Sequence, residues 1–346
     1  ALIVGSLGVI FAQKIFLLIG LPDELLVQAT IYLRIYLSGI LVFFGFSGTS
    51  AVLRGMGDSR TPLYFLIGST LFNIGLDLLF ILGLGMGIGG AALATLISQG
   101  SAFITMIIYL NKRHEIIRFR LKGLVFDKDL FRKSLRIGLP TGLQQTFVAL
   151  GMMALLGIVN TFGTNVVAAY SVATRIDSIA MLPAMIFGQA LATFVGQNLG
   201  ANKSHRVRSG LLSTFGMSSV VSIIVSLVVI SLRHFLMGLF TDDQQVIAIG
   251  AKYLTIVSAF YLLMSALFTI SGVMRGAGDT LIPMFISLFS LWIIRVPVAY
   301  FLSSKIGETG IWWAVPVAWT VGVIASFFYY RTGRWKSKVV VKHNSL

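Results

Sequence analysis

The chain has 346 residues, of which 56% are hydrophobic and only 11% charged, with a net charge of +15 and no cysteine. Its mean hydropathy is +0.90, far more apolar sequence than a soluble core needs, so the composition describes a polytopic membrane protein. The lack of cysteine excludes disulfides, thiolate metal sites and Cys nucleophiles. The opening ALIVGSLGVIF carries no basic n-region or cleavage site, so no signal peptide is expected.

Apolar runs of about 20 residues are long enough to cross a bilayer. They predict an all-α chain of ten transmembrane helices, at 1–19, 25–52, 62–82, 88–110, 138–162, 167–199, 209–232, 246–271, 282–303 and 310–330. The sixth is too long for one straight span and contains Pro183, so it is expected to tilt, kink or extend beyond the membrane.

The loops between the runs alternate in charge. One set carries Arg54, Arg60, nine basic residues from Lys112 to Arg136, Lys203, Arg206, Arg208, Arg275 and five more in the tail from Arg331, which is 20 of the 27 Lys and Arg. The other set has Arg233 and Lys305 with acidic Asp23, Glu24, Asp242, Asp243 and Glu308. Positive-inside bias makes the basic set, and the carboxyl terminus, cytoplasmic. It also accounts for the excess charge, so a nucleic-acid partner is not expected.

An internal repeat runs at an offset of 221 residues. VLRGMGDSRTP at 52–62 matches VMRGAGDTLIP at 273–283, and the same offset pairs Tyr32 and Leu33 with Tyr253 and Leu254, and Gly89 with Gly310. Predicted helices one to four thus correspond to helices seven to ten. Six spans separate the copies, so both share one orientation and form parallel, pseudo-symmetric lobes about an axis along the membrane normal. The expected organisation is an amino-terminal lobe over 1–110, a basic cytoplasmic linker over 111–136, a carboxyl-terminal lobe over 137–331 and a basic tail over 332–346. Helices five and six have no counterpart ahead of helix one, so the repeat predicts a six-plus-six protein from which the first two helices and part of a third are missing.

Gly138, Leu139 and Pro140 opening helix five, the ending VGQNLGA at 195–201, the RGMGD and RGAGD loops, and Arg295-Val296-Pro297 in helix nine carry a resemblance. The chain resembles the multidrug and toxic compound extrusion (MATE) transporters of the MOP flippase superfamily over essentially its whole length. The resemblance implies two six-helix lobes around a central cavity and export of drugs or metabolites by alternating access. It also implies antiport of Na⁺ or H⁺. Some members couple transport through an Asn-x-x-x-Asp pair and a Thr on the next helix. Asn73, Asp77 and Thr95 match that spacing, while a further acid of the family's site falls in the missing segment. Other members carry a Glu in the helix beginning Gly-Leu-Pro. Here that region reads Gln144-Gln145-Thr146, and residues 138–162 contain no acid.

Read from the residues themselves, Asn73 and Asp77 stack on one face of an apolar helix. Asp77 lies roughly 8 Å from the outer end of its span, level with Thr95. Carboxylate, amide and hydroxyl oxygens would serve Na⁺, and the carboxylate alone H⁺; fixing helix packing is the alternative. Beyond Na⁺ at Asp77 no metal is expected, and no cofactor. Asp177, with Arg175 two residues earlier, would line the substrate cavity or form a static bridge to Arg295 or another helix. Gln144 and Gln145 would contact substrate or hydrogen-bond between helices. Arg295, close to Pro297, reads first as a partner for carbonyls the proline frees. The RGxGD loops, with Arg54, Asp58, Arg275 and Asp279, read as turns capping the next helix, or as gates. The GxGxxG at 85–90 follows a transmembrane run without a Rossmann unit and reads as a turn. No acid, base and nucleophile cluster recurs at one depth, so an enzyme is not expected.

The resulting expectation is a secondary-active exporter of cationic amphipathic small molecules, acting as a monomer in the inner membrane. The alternatives are a lipid-linked precursor flippase of the same superfamily, or a non-transporting truncated remnant.

Overall fold

In the computed structural model, residues 1–19, 21–113 and 125–338 are described, and among them every regular element is helical. The order is α1 (Leu2–Ile19), α2 (Asp23–Ser38), α3 (Ile40–Gly55), α4 (Arg60–Asp77), α5 (Gly87–Arg113), α6 (Lys128–Asn160), α7 (Thr164–Gly200), α8 (His205–Gly238), α9 (Gln244–Ser258), α10 (Tyr261–Gly276), α11 (Leu281–Leu288), α12 (Val296–Ile306) and α13 (Glu308–Thr332). All ten predicted runs are helical. Among the described residues, seven helices are long and apolar enough to cross a membrane, or up to nine spans if each of two bent pairs counts as one, and α1 is a shorter apolar helix.

Composition does not show where a span breaks. The run 25–52 is two helices bent by 50° between Ser38 and Ile40, and 246–271 is two helices bent by 49° between Ser258 and Tyr261. At the first bend Gly39 lets the chain approach α5, since a Cβ there would lie 2.3 Å from Leu96 Cδ1. At the second, α8 intervenes: Ser226 Oγ donates to the Ser258 carbonyl at 2.7 Å. A kink whose carbonyl is satisfied by a neighbouring helix is tolerable in hydrocarbon. Two other spans carry wider turns, a π-helix over Leu78–Gly83 continuing α4 and another over Phe289–Arg295 between α11 and α12. The second ends just before Pro297, in the first turn of α12, where a missing N–H costs least. Arg295 Nε is buried without a hydrogen-bond partner, so the expected bond to carbonyls freed by Pro297 is not made through that atom.

Three helices run well past their apolar cores. α6 begins at Lys128, ten residues ahead of the predicted start, because Asp127 caps it: its Oδ1 accepts from the N–H groups of Asp129 and Leu130 at 2.8 and 3.0 Å. α8 takes His205 and His234 into its terminal turns, whereas His114 and His343 lie outside the described residues. α7 has 37 residues with Pro183 inside it, roughly 55 Å at 1.5 Å per residue against a hydrocarbon layer of about 30 Å. It therefore extends beyond the membrane, one of the outcomes its length implied.

The chain divides into two compact units, Ala1–Val125 and Phe126–Leu346. In the first, α2, α3 and α4 pack on α5, and Phe46, Leu53, Ala102, Met106 and Leu110 form its core. In the second, Tyr170, Tyr253 and Trp312 interlock, with Tyr170 stacked on Trp312 at 5.6 Å and Tyr253 edge-on to Trp312 at 5.0 Å. There α7 and α10 touch backbone to backbone. A Cβ on Gly272 would lie 2.4 Å from the Gly188 carbonyl oxygen, and one on Gly276 2.4 Å from that of Ala192. This is the small-residue seam that lets transmembrane helices approach closely.

Candidate functional site

The residues expected to couple an ion sit in the first unit, on two helices packed along each other. Asn73 and Asp77 lie on α4, and Asp77 is its last residue before the π-helical turn. Both side chains are half-buried. Asp77 Oδ1 and Asn73 Nδ2 are buried without a hydrogen-bond partner. Thr95, on α5, donates its hydroxyl to the Ala91 carbonyl of its own helix at 3.0 Å and to neither α4 residue. Buried polar atoms are ordinarily paired, and in hydrocarbon an unmade bond is dearer still. The two atoms lie on successive turns of one helix face, beside a wide turn of a kind often found at functional sites. Among the described residues no three His, Cys, Asp or Glu side chains gather to hold a metal ion.

The second unit's intramembrane acid is treated differently. Asp177 on α7 is 7% exposed. Its Oδ1 accepts from the Tyr261 hydroxyl at 2.7 Å and its Oδ2 from the Tyr253 hydroxyl at 3.3 Å. Those tyrosines belong to α10 and α9, on either side of the bend at 259–260, so the break brings two hydroxyls onto one carboxylate. Arg175 is exposed, and no ion pair joins Asp177 to Arg175 or Arg295 among the described residues. Neither tyrosine was singled out from the sequence. The signal available was the repeat itself, which pairs Tyr253 with Tyr32.

The two glutamines do not share an environment. Gln144 is 6% exposed and donates from Nε2 to Ser287 Oγ at 2.6 Å, while its Oε1 accepts from an Arg275 terminal nitrogen at 3.2 Å. It thereby ties α6 to α10 and α11. Gln145, one residue on, is exposed.

The RGxGD loops fold alike. In each, the N–H of the Asp returns to a carbonyl five residues back, Asp58 to Leu53 and Asp279 to Met274, both at 2.9 Å. Gly57 and Gly278 adopt φ of 96° and 84°, a left-handed conformation that favours glycine. Asp58 Oδ1 then caps α4, accepting from the N–H groups of Arg60 and Thr61 at 3.1 and 3.0 Å. Asp279 instead takes the hydroxyl of Tyr329 from α13. Arg54 is exposed where Arg275 is half-buried against Gln144.

The family model named MatE matches residues 1–79 and 140–301. The chain is 34% identical over 333 residues to the probable multidrug resistance protein YpnP of Bacillus subtilis, covering 96% of this chain and 74% of that protein. It is 30% identical to the probable multidrug resistance protein NorM of Thermotoga maritima, covering 93% of this chain and 70% of the relative. Among solved structures, a MATE in the bent conformation superposes with a TM-score of 0.89 at 22% identity, over 98% of this chain and 77% of that one. An outward-facing multidrug resistance MATE transporter of the MOP superfamily gives 0.90 at 23%, over 97% and 77%. With ten apolar helical runs, the repeated RGxGD turns, and relatives matched over nearly all its length, the chain belongs to the MatE family.

Proposed function

We propose that the protein is a secondary-active exporter of cationic amphipathic small molecules, working by alternating access and driven by antiport of H⁺ or Na⁺, with Asp77 as the coupling carboxylate. The observation that carries this reading is the pair of unpartnered buried atoms, Asp77 Oδ1 and Asn73 Nδ2, on one face of a membrane-spanning helix. An intramembrane acid without a fixed partner is a ready acceptor for a proton, a sodium ion or a cationic substrate. Mutually exclusive occupancy would let the inward ion displace the outward cargo, each stabilising a different arrangement of α4 and α5. Thr95 would add a hydroxyl oxygen for Na⁺, its lone pairs being free while its hydrogen stays on the Ala91 carbonyl. The names of the two bacterial relatives support export of more than one compound. The basic ends of the helices would face the cytoplasm of a plasma membrane, and a single chain with two units needs no second copy.

The test is efflux of a lipophilic cationic dye from proteoliposomes under separately imposed Na⁺ and pH gradients. Asp77→Asn replaces an oxygen that holds no hydrogen bond, so the variant should fold, yet bind the cationic dye more weakly and lose gradient-driven efflux. Equal gradient-driven efflux by both proteins would remove Asp77 from the mechanism.

A further inference from the structure

The basic end of the second unit holds a surface that the transport reading does not use. α6 is 33 residues long, roughly 50 Å against about 30 Å of hydrocarbon, so its first turns stand outside the apolar layer. Lys128, Arg132 and Arg136 recur every four residues there and form one exposed stripe. Phe131, Leu135 and Leu139 form a second stripe beside it, about 100° around the helix, and are 49%, 49% and 61% exposed. Phe126 leans on Phe131 with ring centroids 5.2 Å apart, widening the apolar stripe.

A second segment approaches from α13. After Gly333, at φ 68°, the chain makes a short 3-10 turn over Arg334–Lys338. Trp335 anchors it: the indole is 2% exposed, stacks on Tyr330 at 5.5 Å, donates to the Tyr330 carbonyl at 3.0 Å and packs with Leu191, Val195 and Val273. Lys338 is thereby held at a small concavity whose wall also includes Arg136, Asp279 and Thr280.

Three acids lie nearby, each with another partner on one oxygen, and the cations outnumber them. Asp127 caps α6, Asp129 pairs with Lys133 at 2.6 Å, and Asp279 accepts from Tyr329. Lys128, Arg132, Arg136 and Lys338, with Arg334 and Lys336 on the same turn, have no carboxylate within ion-pair distance among the described residues. A cationic stripe beside an apolar stripe, at the depth where a long helix leaves hydrocarbon, matches a lipid headgroup beside its acyl chain.

We propose that this surface binds anionic phospholipid. Lys128, Arg132 and Arg136, closed by Lys338, hold the headgroup phosphates, and Phe131, Leu135 and Leu139 lie along the acyl chains. The partner is the membrane's own anionic lipid rather than free phosphate, because phosphate would leave the apolar stripe in water.

The experiment measures lipid affinity of the full chain in neutral detergent by native mass spectrometry. The probes are phosphatidylglycerol, phosphatidylcholine of the same acyl chains, and inorganic phosphate. Wild type should prefer phosphatidylglycerol over phosphatidylcholine by tenfold or more, and phosphate at the same concentration should not displace it. K128Q, R132Q and R136Q should each weaken phosphatidylglycerol about fivefold, the usual weight of one surface cation, and phosphatidylcholine not at all. K133Q, which loses a side chain already paired with Asp129, should change little. Trp335→Ala, by freeing the turn that carries Lys338, should cost a similar fivefold. These side chains are exposed, so the Gln variants should fold, and an unchanged unfolding midpoint will verify that. Equal affinity for the two lipids, displacement by phosphate, or an undiminished preference in the K128Q/R132Q/R136Q triple variant would each overturn the proposal.

Discussion

Gly272→Ala adds one methyl group at the α7–α10 crossing and should be among the most damaging small substitutions in the second unit. The added Cβ would lie 2.4 Å from the Gly188 carbonyl oxygen and 3.2 Å from its carbon. Relieving that contact to an ordinary separation requires the helices to part by about 1 Å, since no flexible side chain is available to yield. A gap of that size forfeits a quarter to a half of the dispersion between facing atoms, and overpacking of a tight seam costs about 1–3 kcal/mol. Because the obstruction is backbone, about 2–3 kcal/mol is expected. The control is Gly157→Ala on α6, where nothing lies within 4 Å and the better helix former should be neutral or stabilise by up to about 1 kcal/mol. Unfolding midpoints in a graded mixture of denaturing and mild detergent, read from tryptophan fluorescence, compare the two. If Gly272→Ala unfolds at the same detergent fraction as Gly157→Ala, the seam does not hold these helices as described.

Two further substitutions test the polar contacts of the second unit. Tyr261→Phe removes a 2.7 Å bond to a buried carboxylate and should cost about 1.5–3 kcal/mol in the same unfolding assay, while Tyr253→Phe, at 3.3 Å, should cost less; the reverse order would show that bond length does not rank them. Gln144→Leu strands both Arg275 and Ser287 and should cost about 2–3 kcal/mol, whereas Gln144→Glu keeps, and charges, the acceptor for Arg275 while losing the Nε2 donor to Ser287, and should cost about 1 kcal/mol less than Leu; equal losses would place the effect in shape rather than hydrogen bonding.

Hydropathy found every helical run because a membrane span must be apolar along its length, and that property is additive over a window. It could not find the bends, which lie where distant residues meet the chain: Leu96 at Gly39 in the first unit, and Ser226 on the Ser258 carbonyl in the second. Helix ends were underestimated wherever a helix leaves the apolar layer, as at Lys128, since charge there reads as a linker. The acids of the candidate sites were legible as carboxylates in the wrong solvent. Their partners were not, because Tyr253 and Tyr261 are ordinary residues in an apolar run until the bend between them turns both toward α7. The α7–α10 seam lies in the sequence as Gly272-x-x-x-Gly276, but it overlaps the RGAGD turn, where a glycine reads first as a turn former. Trp335 was concealed by its basic neighbours.

The repeat conserves backbone more strictly than it conserves partners, and that difference bears on which acid is fit to change its occupant. Both RGxGD turns make the same main-chain bonds, yet Asp58 caps its own helix and Asp279 is held by Tyr329. The two intramembrane acids are not counterparts in the repeat, since the same offset pairs Asp77 with Val298, and their surroundings differ. Asp177 has a hydroxyl on each oxygen, an arrangement that stabilises one packing of α7, α9 and α10 and must be dismantled before another ligand can enter. Asp77 has a buried oxygen with no such bond, and Asn73 Nδ2, one turn before it, also lacks a partner. Exchanging a proton, an ion or a cation there breaks nothing already made. For that reason the coupling role is proposed for Asp77, and Asp177 is better suited to holding the second unit rigid while the first responds.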